Sequence, residues 1–130
     1  SNGGISVSDS ITKVVISQRS QDRGALFDVM ISLPEEKSIL RGERLTFATT
    51  LYNIGRGGKT DVELVYIVSD NKGNIIYVEN ENRVVETQDT FVKNLDLGDL
   101  RPGSHKLFVE LLYSNLTAVA SDEFTVLLFR

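Results

Sequence analysis

From residue 45 onward the chain alternates apolar and polar positions with a period of two, the spacing of a half-buried β-strand. Leu45, Phe47, Thr49 and Leu51 share one face of a predicted strand, and Thr46, Ala48, Thr50 and Tyr52 share the other. Val62, Leu64, Tyr66 and Val68 alternate through a second strand, and Leu107, Val109, Leu111 and Tyr113 through a third. Shorter candidates are Val14 to Ile16, Ala25 to Ser32, Asn74 to Glu79, Val84 to Thr87 and Thr90 to Leu97. Leu116 to Leu128 closes the chain. Turn formers stand between them: Pro34-Glu35-Glu36, Arg41-Gly42-Glu43, Asn53-Ile54-Gly55-Arg56-Gly57-Gly58, Asp70-Asn71-Lys72-Gly73, the loop 98–103 and Ser114-Asn115. Glycine supplies the positive φ that tight turns require. No stretch sustains helical spacing. Roughly eight or nine short strands divided by turns predict an all-β fold, a sandwich of two antiparallel sheets. An up-and-down barrel is the competing arrangement.

Composition narrows this to one folded domain: 130 residues, 41% hydrophobic and 25% charged. Residues 1–12 are polar and rich in Gly and Ser, and read as a linker or tag remnant. Residues 13–130 form the domain. The start Ser1-Asn2-Gly3-Gly4 lacks an initiator Met and resembles a protease-cleavage remnant. The expectation is therefore a longer natural protein with an export or membrane signal outside these residues. No apolar run approaches the roughly 20 residues of a membrane helix, so direct membrane insertion of this segment is not expected.

Net charge is −4, from 14 basic and 18 acidic residues. The basic residues are scattered and form no stripe that could follow a phosphate backbone, so neither nucleic acid nor an anionic membrane is the expected partner. Cysteine is absent, which excludes disulfides, thiolate metal sites and cysteine nucleophiles.

The inventory for catalysis is thin. A serine nucleophile needs a base and an orienting acid. Ser104 sits beside His105, the one histidine, but strand neighbours point to opposite faces and cannot form a dyad. Glu79, Glu81, Glu86 and Asp89 could supply the paired carboxylates of glycoside hydrolysis. No aromatic sugar platform lies near them in sequence, and the stretch 79–83 reads as a solvated loop. The same oxygen-rich stretch, 79–89, is a candidate for calcium, with Asp70 and Asn71 as further ligands, yet its spacing fits no EF-hand loop. The expectation is no enzyme and no cofactor. Asn115-Leu116-Thr117 is an N-glycosylation sequon at a predicted turn, where an acceptor Asn115 would be accessible; a plain turn Asn accounts for it equally.

From about residue 40 the motifs occur in a familiar order. Gly42-Glu43-Arg44-Leu45-Thr46-Phe47 opens a strand, followed by Leu51-Tyr52-Asn53-Ile54-Gly55, Val62-Glu63-Leu64-Val65-Tyr66 and Asp70-Asn71-Lys72-Gly73. Leu100-Arg101-Pro102-Gly103-Ser104-His105-Lys106-Leu107 and Phe124-Thr125-Val126 complete the series. The chain resembles the immunoglobulin/fibronectin-III-like repeats of archaeal and bacterial cell-surface proteins, of the cell-adhesion-related type. The resemblance implies an immunoglobulin-like antiparallel β-sandwich of about 7–9 strands. It also implies an extracellular or cell-surface location within a longer membrane-anchored or secreted protein. The function it implies is non-catalytic support, adhesion or protein–protein assembly. The alternative is an accessory binding domain, for carbohydrate or within an archaeal surface filament or S-layer. In such domains the position of His105 is often Tyr, whose hydroxyl reaches back to the backbone just upstream. His105 shares the parity of Leu107 and Val109, so it is expected to face the core and serve as that corner.

In a sandwich of this kind the strand at 60–69 lies in one sheet with those at 105–114 and 117–128. Their inward residues are Val62, Leu64, Tyr66, Leu107, Val109 and Leu111. The opposite face is unexpectedly apolar: Val65, Ile67, Phe108 and Leu112, with Leu127 and Phe129 near the end. Thr46, Thr50, Asn94 and Asp96 give the other sheet a polar exterior. Soluble monomers rarely leave a large apolar patch bare. The six residues are therefore a candidate interface, covered either by Val14, Val15 and Ile16 folding back or by a protein partner or second copy. The partner or copy is preferred because the N-terminal segment is short.

Overall fold

A strand with one apolar face can bury it only against another layer, and the alternation above sets which side chains of each strand face that layer. The computed structural model describes residues 27–55 and 58–129. Within them the chain forms β1 (Phe27–Ser32), β2 (Ser38–Leu40), β3 (Leu45–Asn53), β4 (Thr60–Asp70), β5 (Ile75–Val85), β6 (Gln88–Leu95), β7 (Gly103–Tyr113) and β8 (Leu116–Leu127). One sheet has the order β1-β3-β6 and the other β2-β8-β7-β4-β5. Every pairing is antiparallel except the short β2–β8 contact, which is parallel. The fold is an immunoglobulin-like β-sandwich, and β4, β7 and β8 lie in one sheet as expected for that architecture.

The interior is built from the alternating inward residues. Leu64, Tyr66, Val68, Leu107, Val109 and Leu111 are fully buried in the five-stranded sheet, facing Val29, Phe47 and Leu51 of the three-stranded one. Burying each such side chain contributes about 1.5–3 kcal/mol. Tyr66 and Phe47 meet edge-on across the two layers, with ring centroids 6.0 Å apart, a favoured aromatic geometry. Phe27 and Tyr113 make a second edge contact at 5.4 Å.

Two stretches depart from the sequence pattern. The predicted break at 79–83 does not occur: β5 runs unbroken from Ile75 to Val85. Its inward positions, Tyr77, Glu79, Glu81 and Arg83, still alternate with Val78, Asn80 and Asn82, but charge replaces hydrophobicity as the marker of the inner face. The segment predicted as Val84 to Thr87 divides between the end of β5 and the connection to β6. β2 was not anticipated, because three residues are too few to show a period. Ile39 alone of them is buried. The candidate strand Val14 to Ile16 and the linker 1–12 lie outside the described residues.

His105 faces the core as its parity requires, with 4% of its surface exposed. Its ring stacks on Phe124 at 5.6 Å. Nδ1 lies 3.0 Å from the carbonyl of Gly103; a carbonyl only accepts, so Nδ1 carries the hydrogen. Gly103 holds φ at +123°, which bends the chain entering β7. Ser104 is exposed on the other side of the strand. In thermal or urea denaturation His105→Ala should cost about 1–2 kcal/mol through the lost bond and stacking. His105→Tyr should retain or raise stability. An alanine variant as stable as the parent would contradict the corner role.

Candidate functional site

The outer face of the five-stranded sheet follows from register. Val78, Ile67 and Phe108 stand opposite one another on β5, β4 and β7. The next row is Asn80, Val65, Glu110 and Val119, and the one after is Asn82, Glu63, Leu112 and Thr117. Four candidate residues, Val65, Ile67, Phe108 and Leu112, thus lie together on one face. All four are half-buried rather than bare, because carboxylate, amide and lysine side chains lie among them. The Lys106 ammonium sits 5.9 Å from the centre of the Phe108 ring, and Asn80 donates to Glu63 at 2.8 Å. Leu127 is half-buried beside Leu40 at the far edge. Phe129 follows the end of β8 and is 78% exposed.

At one end of this face a groove of about 500 Å³ opens between the β4–β5 turn and β7. Ile67, Ile75 and Phe108 give it apolar walls, with Ser104, Lys106, Glu110 and Glu123 around them. Its rim is held rigid by the turn. Asp70 accepts from the amides of Lys72 at 2.8 Å and Asn74 at 2.9 Å, and Gly73 takes φ +87°. The Asn74 amide foremost, with the Lys72 amide beside it, holds the Asp70 carboxyl below the ordinary carboxylate range. Asp70 therefore serves the turn.

The three-stranded sheet presents a different exterior. Thr46 bonds Asn94, and Thr50 meets Thr90 at 3.1 Å, forming a polar cross-strand ladder. The six-residue candidate list missed exposed aliphatic positions on β5 near the first face: Ile75 is 63% exposed, Val78 54% and Val84 53%. Reading 79–83 as a loop hid the two valines, although V-E-N-E-N-R-V has an unbroken period of two.

The candidate carboxylates belong to a different arrangement, at the side where β5 and β6 face each other across the sandwich. Lys93 of β6 reaches Glu79 at 2.6 Å and Glu81 at 3.2 Å. Arg83 bonds Asp89 at 3.0 Å and Glu81 at 3.4 Å, and its guanidinium lies 3.5 Å over the Phe91 ring. The Tyr66 hydroxyl donates to Glu81 at 2.6 Å, and the Tyr77 hydroxyl donates to Glu79. Lys93 is only 16% exposed. The bond from Lys93, then that from Tyr77, hold the Glu79 carboxyl low. Burial pushes Glu81 upward, but bonds from Tyr66 and Lys93 outweigh it and the net shift is down. Burial beside the same carboxylates pushes the Tyr66 phenol far above its ordinary range, and Tyr77 up to about 12.

Glu79 and Glu81 are thus held low, and Glu79, Glu81 and Asp89 share the two cations Lys93 and Arg83. A bound calcium would have to displace Lys93 and Arg83. Among the described residues no group of three or more His, Asp or Glu side chains gathers as a metal-ligand set. Glu86 is exposed in the β5–β6 connection, away from this network. Asn115 is exposed in the two-residue turn between β7 and β8, after Ser114 at φ +55°, so the sequon is sterically open. Among the described residues no helix is long and apolar enough to cross a membrane.

No family model matches the sequence, and no curated protein matches it. Among solved structures, the C-terminal domain of Wzt superposes with a TM-score of 0.62 at 17% identity, covering 92% of this chain and 81% of that one. A CARDB domain from Pyrococcus furiosus, in complex with di-metal ions, gives 0.58 at 12% identity over 85% of this chain and 100% of that one. A β-glucosidase from Listeria innocua in complex with glucose gives 0.56 at 19% identity. This chain covers 79% of itself there and only 16% of that enzyme. At these identities the likeness is one of fold, and it agrees with the immunoglobulin-like architecture expected from the motifs.

The ionic seal makes a prediction with a definite sign. Carboxyls held low in the folded state stabilise it above their unfolded pKa, and that contribution is lost as pH falls through the folded pKa. Lys93→Met should therefore cost about 1–2 kcal/mol at pH 7. The gap to the parent should narrow below about pH 4.5, as Glu79 and Glu81 protonate in both proteins. Urea titrations of the two proteins across pH 3–7 would check this. A pH-independent gap would mean that Lys93 acts through packing alone.

Proposed function

We propose that this chain is a non-catalytic, extracytoplasmic β-sandwich module of a cell-surface protein, which supports or joins protein neighbours through the outer face of its five-stranded sheet. The observation that carries the reading is the contrast between the two exteriors. One has Val65, Ile67, Phe108 and Leu112 together beside an apolar-walled groove. The other carries the polar cross-strand pairs Thr46–Asn94 and Thr50–Thr90, interrupted by Met30, Ala48, Tyr52 and the exposed Val92. Apolar residues interspersed with polar and charged ones fit a non-obligate protein contact. Of the carboxylates that glycoside hydrolysis would need, Glu79, Glu81 and Asp89 are tied to Lys93 and Arg83 and Glu86 stands apart from them in an exposed connection, which supports a role without catalysis.

A second reading, an accessory carbohydrate-binding domain, is favoured by the likeness to a small part of a β-glucosidase. Phe108 in the groove would then be the stacking surface.

One pair of variants separates the readings. Ile67→Lys with Phe108→Asp, opposite charges across a directly opposed pair, should keep the domain folded while abolishing incorporation of the full-length protein into its surface assembly. External protease should release the parent domain from intact cells. Normal incorporation of the double variant would sink the assembly reading. Titratable binding of gluco-oligosaccharides, lost in Phe108→Ala, would replace it with the carbohydrate one.

A further inference from the structure

β5 is the edge of the five-stranded sheet: among the described residues it pairs only with β4. Eleven residues of one strand thus present a backbone edge on their far side. Such edges invite pairing and are normally interrupted, bulged or charged. The bulge here lies at one end, between Val68 and Ser69 opposite Ile75 and Tyr77, and leaves 78–84 regular.

The sequence of that regular part, Val78-Glu79-Asn80-Glu81-Asn82-Arg83-Val84, reads nearly the same in both directions. Antiparallel pairing of the strand with itself about a two-fold axis at Glu81 sets Val78 against Val84, Asn80 against Asn82 and Glu79 against Arg83. Each contact then occurs twice. Apolar meets apolar and amide meets amide on the outer face, while acid meets base on the inner one. Moving the axis to Asn80 would oppose Glu79 with Glu81 and Val78 with Asn82. Moving it to Asn82 would oppose Asn80 with Val84 and Val78 with Glu86. The axis at Asn82 would keep Glu81 against Arg83, so charge excludes only the axis at Asn80; the outer-face matches, Val78 with Val84 and Asn80 with Asn82, together with Glu79 against Arg83, select the axis at Glu81. Its like-charged contact is Glu81 with itself. That carboxylate is already turned inward, bonded by Tyr66 at 2.6 Å and Lys93 at 3.2 Å, which compensates its charge.

We propose that two copies of this domain join edge to edge through β5 in this register, making a continuous ten-stranded sheet from two five-stranded ones. The contact is independent of the outer-face partner, and it extends that face: the row Val78, Ile67 and Phe108 of one copy continues into Val84 of the other. A single strand pair is small for a stable interface, so the association is concentration-dependent.

Cross-linking tests the register directly, since the chain has no cysteine of its own. Opposed residues of an antiparallel pair lie within disulfide reach. Mixing the single variants Asn80→Cys and Asn82→Cys under mild oxidation should give a cross-linked dimer in far higher yield than either alone. Val78→Glu and Val84→Lys, both at exposed positions, should each weaken self-association about tenfold in sedimentation equilibrium. The double variant, with opposite charges across the axis, should return to near the parent value. Monomers at every concentration, with no preferential cross-link in the mixture, would overturn the proposal. So would a dimer unaffected by Val78→Glu but dissolved by Ile67→Lys with Phe108→Asp, which would move self-association to the outer face.

Discussion

The hydrogen bond from Tyr66 to Glu81 joins the two halves of this molecule's physics. On one side of it lies a dry interior; Tyr66 is fully buried and packs on Phe47. On the other side the sandwich is open along β5 and β6, and apolar residues there would sit at the water's edge. The chain closes that side with Glu79, Glu81, Arg83, Asp89 and Lys93 instead. A buried phenol needs an acceptor, and a half-buried carboxylate needs donors. The Tyr66–Glu81 contact, with Lys93 4.8 Å from the centre of the Tyr66 ring, satisfies both. Charges turned inward on an edge strand also discourage indiscriminate pairing, so the seal limits what that edge will accept.

The same two-residue period that fills the core decides where the surface is apolar. A strand shows its partner-facing residues on one side and its solvent-facing residues on the other, and the chain spends that freedom unevenly. Threonine and asparagine pair across the three-stranded sheet, with Met30, Ala48, Tyr52 and Val92 between them. Valine, isoleucine, leucine and phenylalanine recur on the outside of the five-stranded one, moderated by Glu63, Glu110 and Lys106. That mixture leaves the residues half-buried in the isolated chain and open to further burial by a neighbour.

Much of this was legible in the sequence because hydrophobic alternation is a direct image of burial. Leu45 to Leu51, Val62 to Val68 and Leu107 to Leu111 stand where their spacing put them, and His105 faces the core by parity alone. The readings failed where the signal was carried by something other than hydrophobicity. Glu79, Glu81 and Arg83 are inward residues that look like a solvated loop until Lys93 and Asp89 are brought opposite them across some ten residues of chain. Nothing local to residue 93 announces that role. β2 exists because β8 offers it an edge in parallel register, a fact of tertiary structure that three residues cannot encode.

The central claim is that the exterior of the five-stranded sheet, and not that of the three-stranded one, is covered in the assembled protein. Hydroxyl-radical footprinting of the native assembly and of the isolated domain would decide it. The account predicts that Ile67, Phe108 and Leu112 lose reactivity in the assembly, while Met30 and Tyr52, outward on the opposite sheet, react equally in both. Equal reactivity of Phe108 in the two states, or protection confined to Met30 and Tyr52, would contradict it.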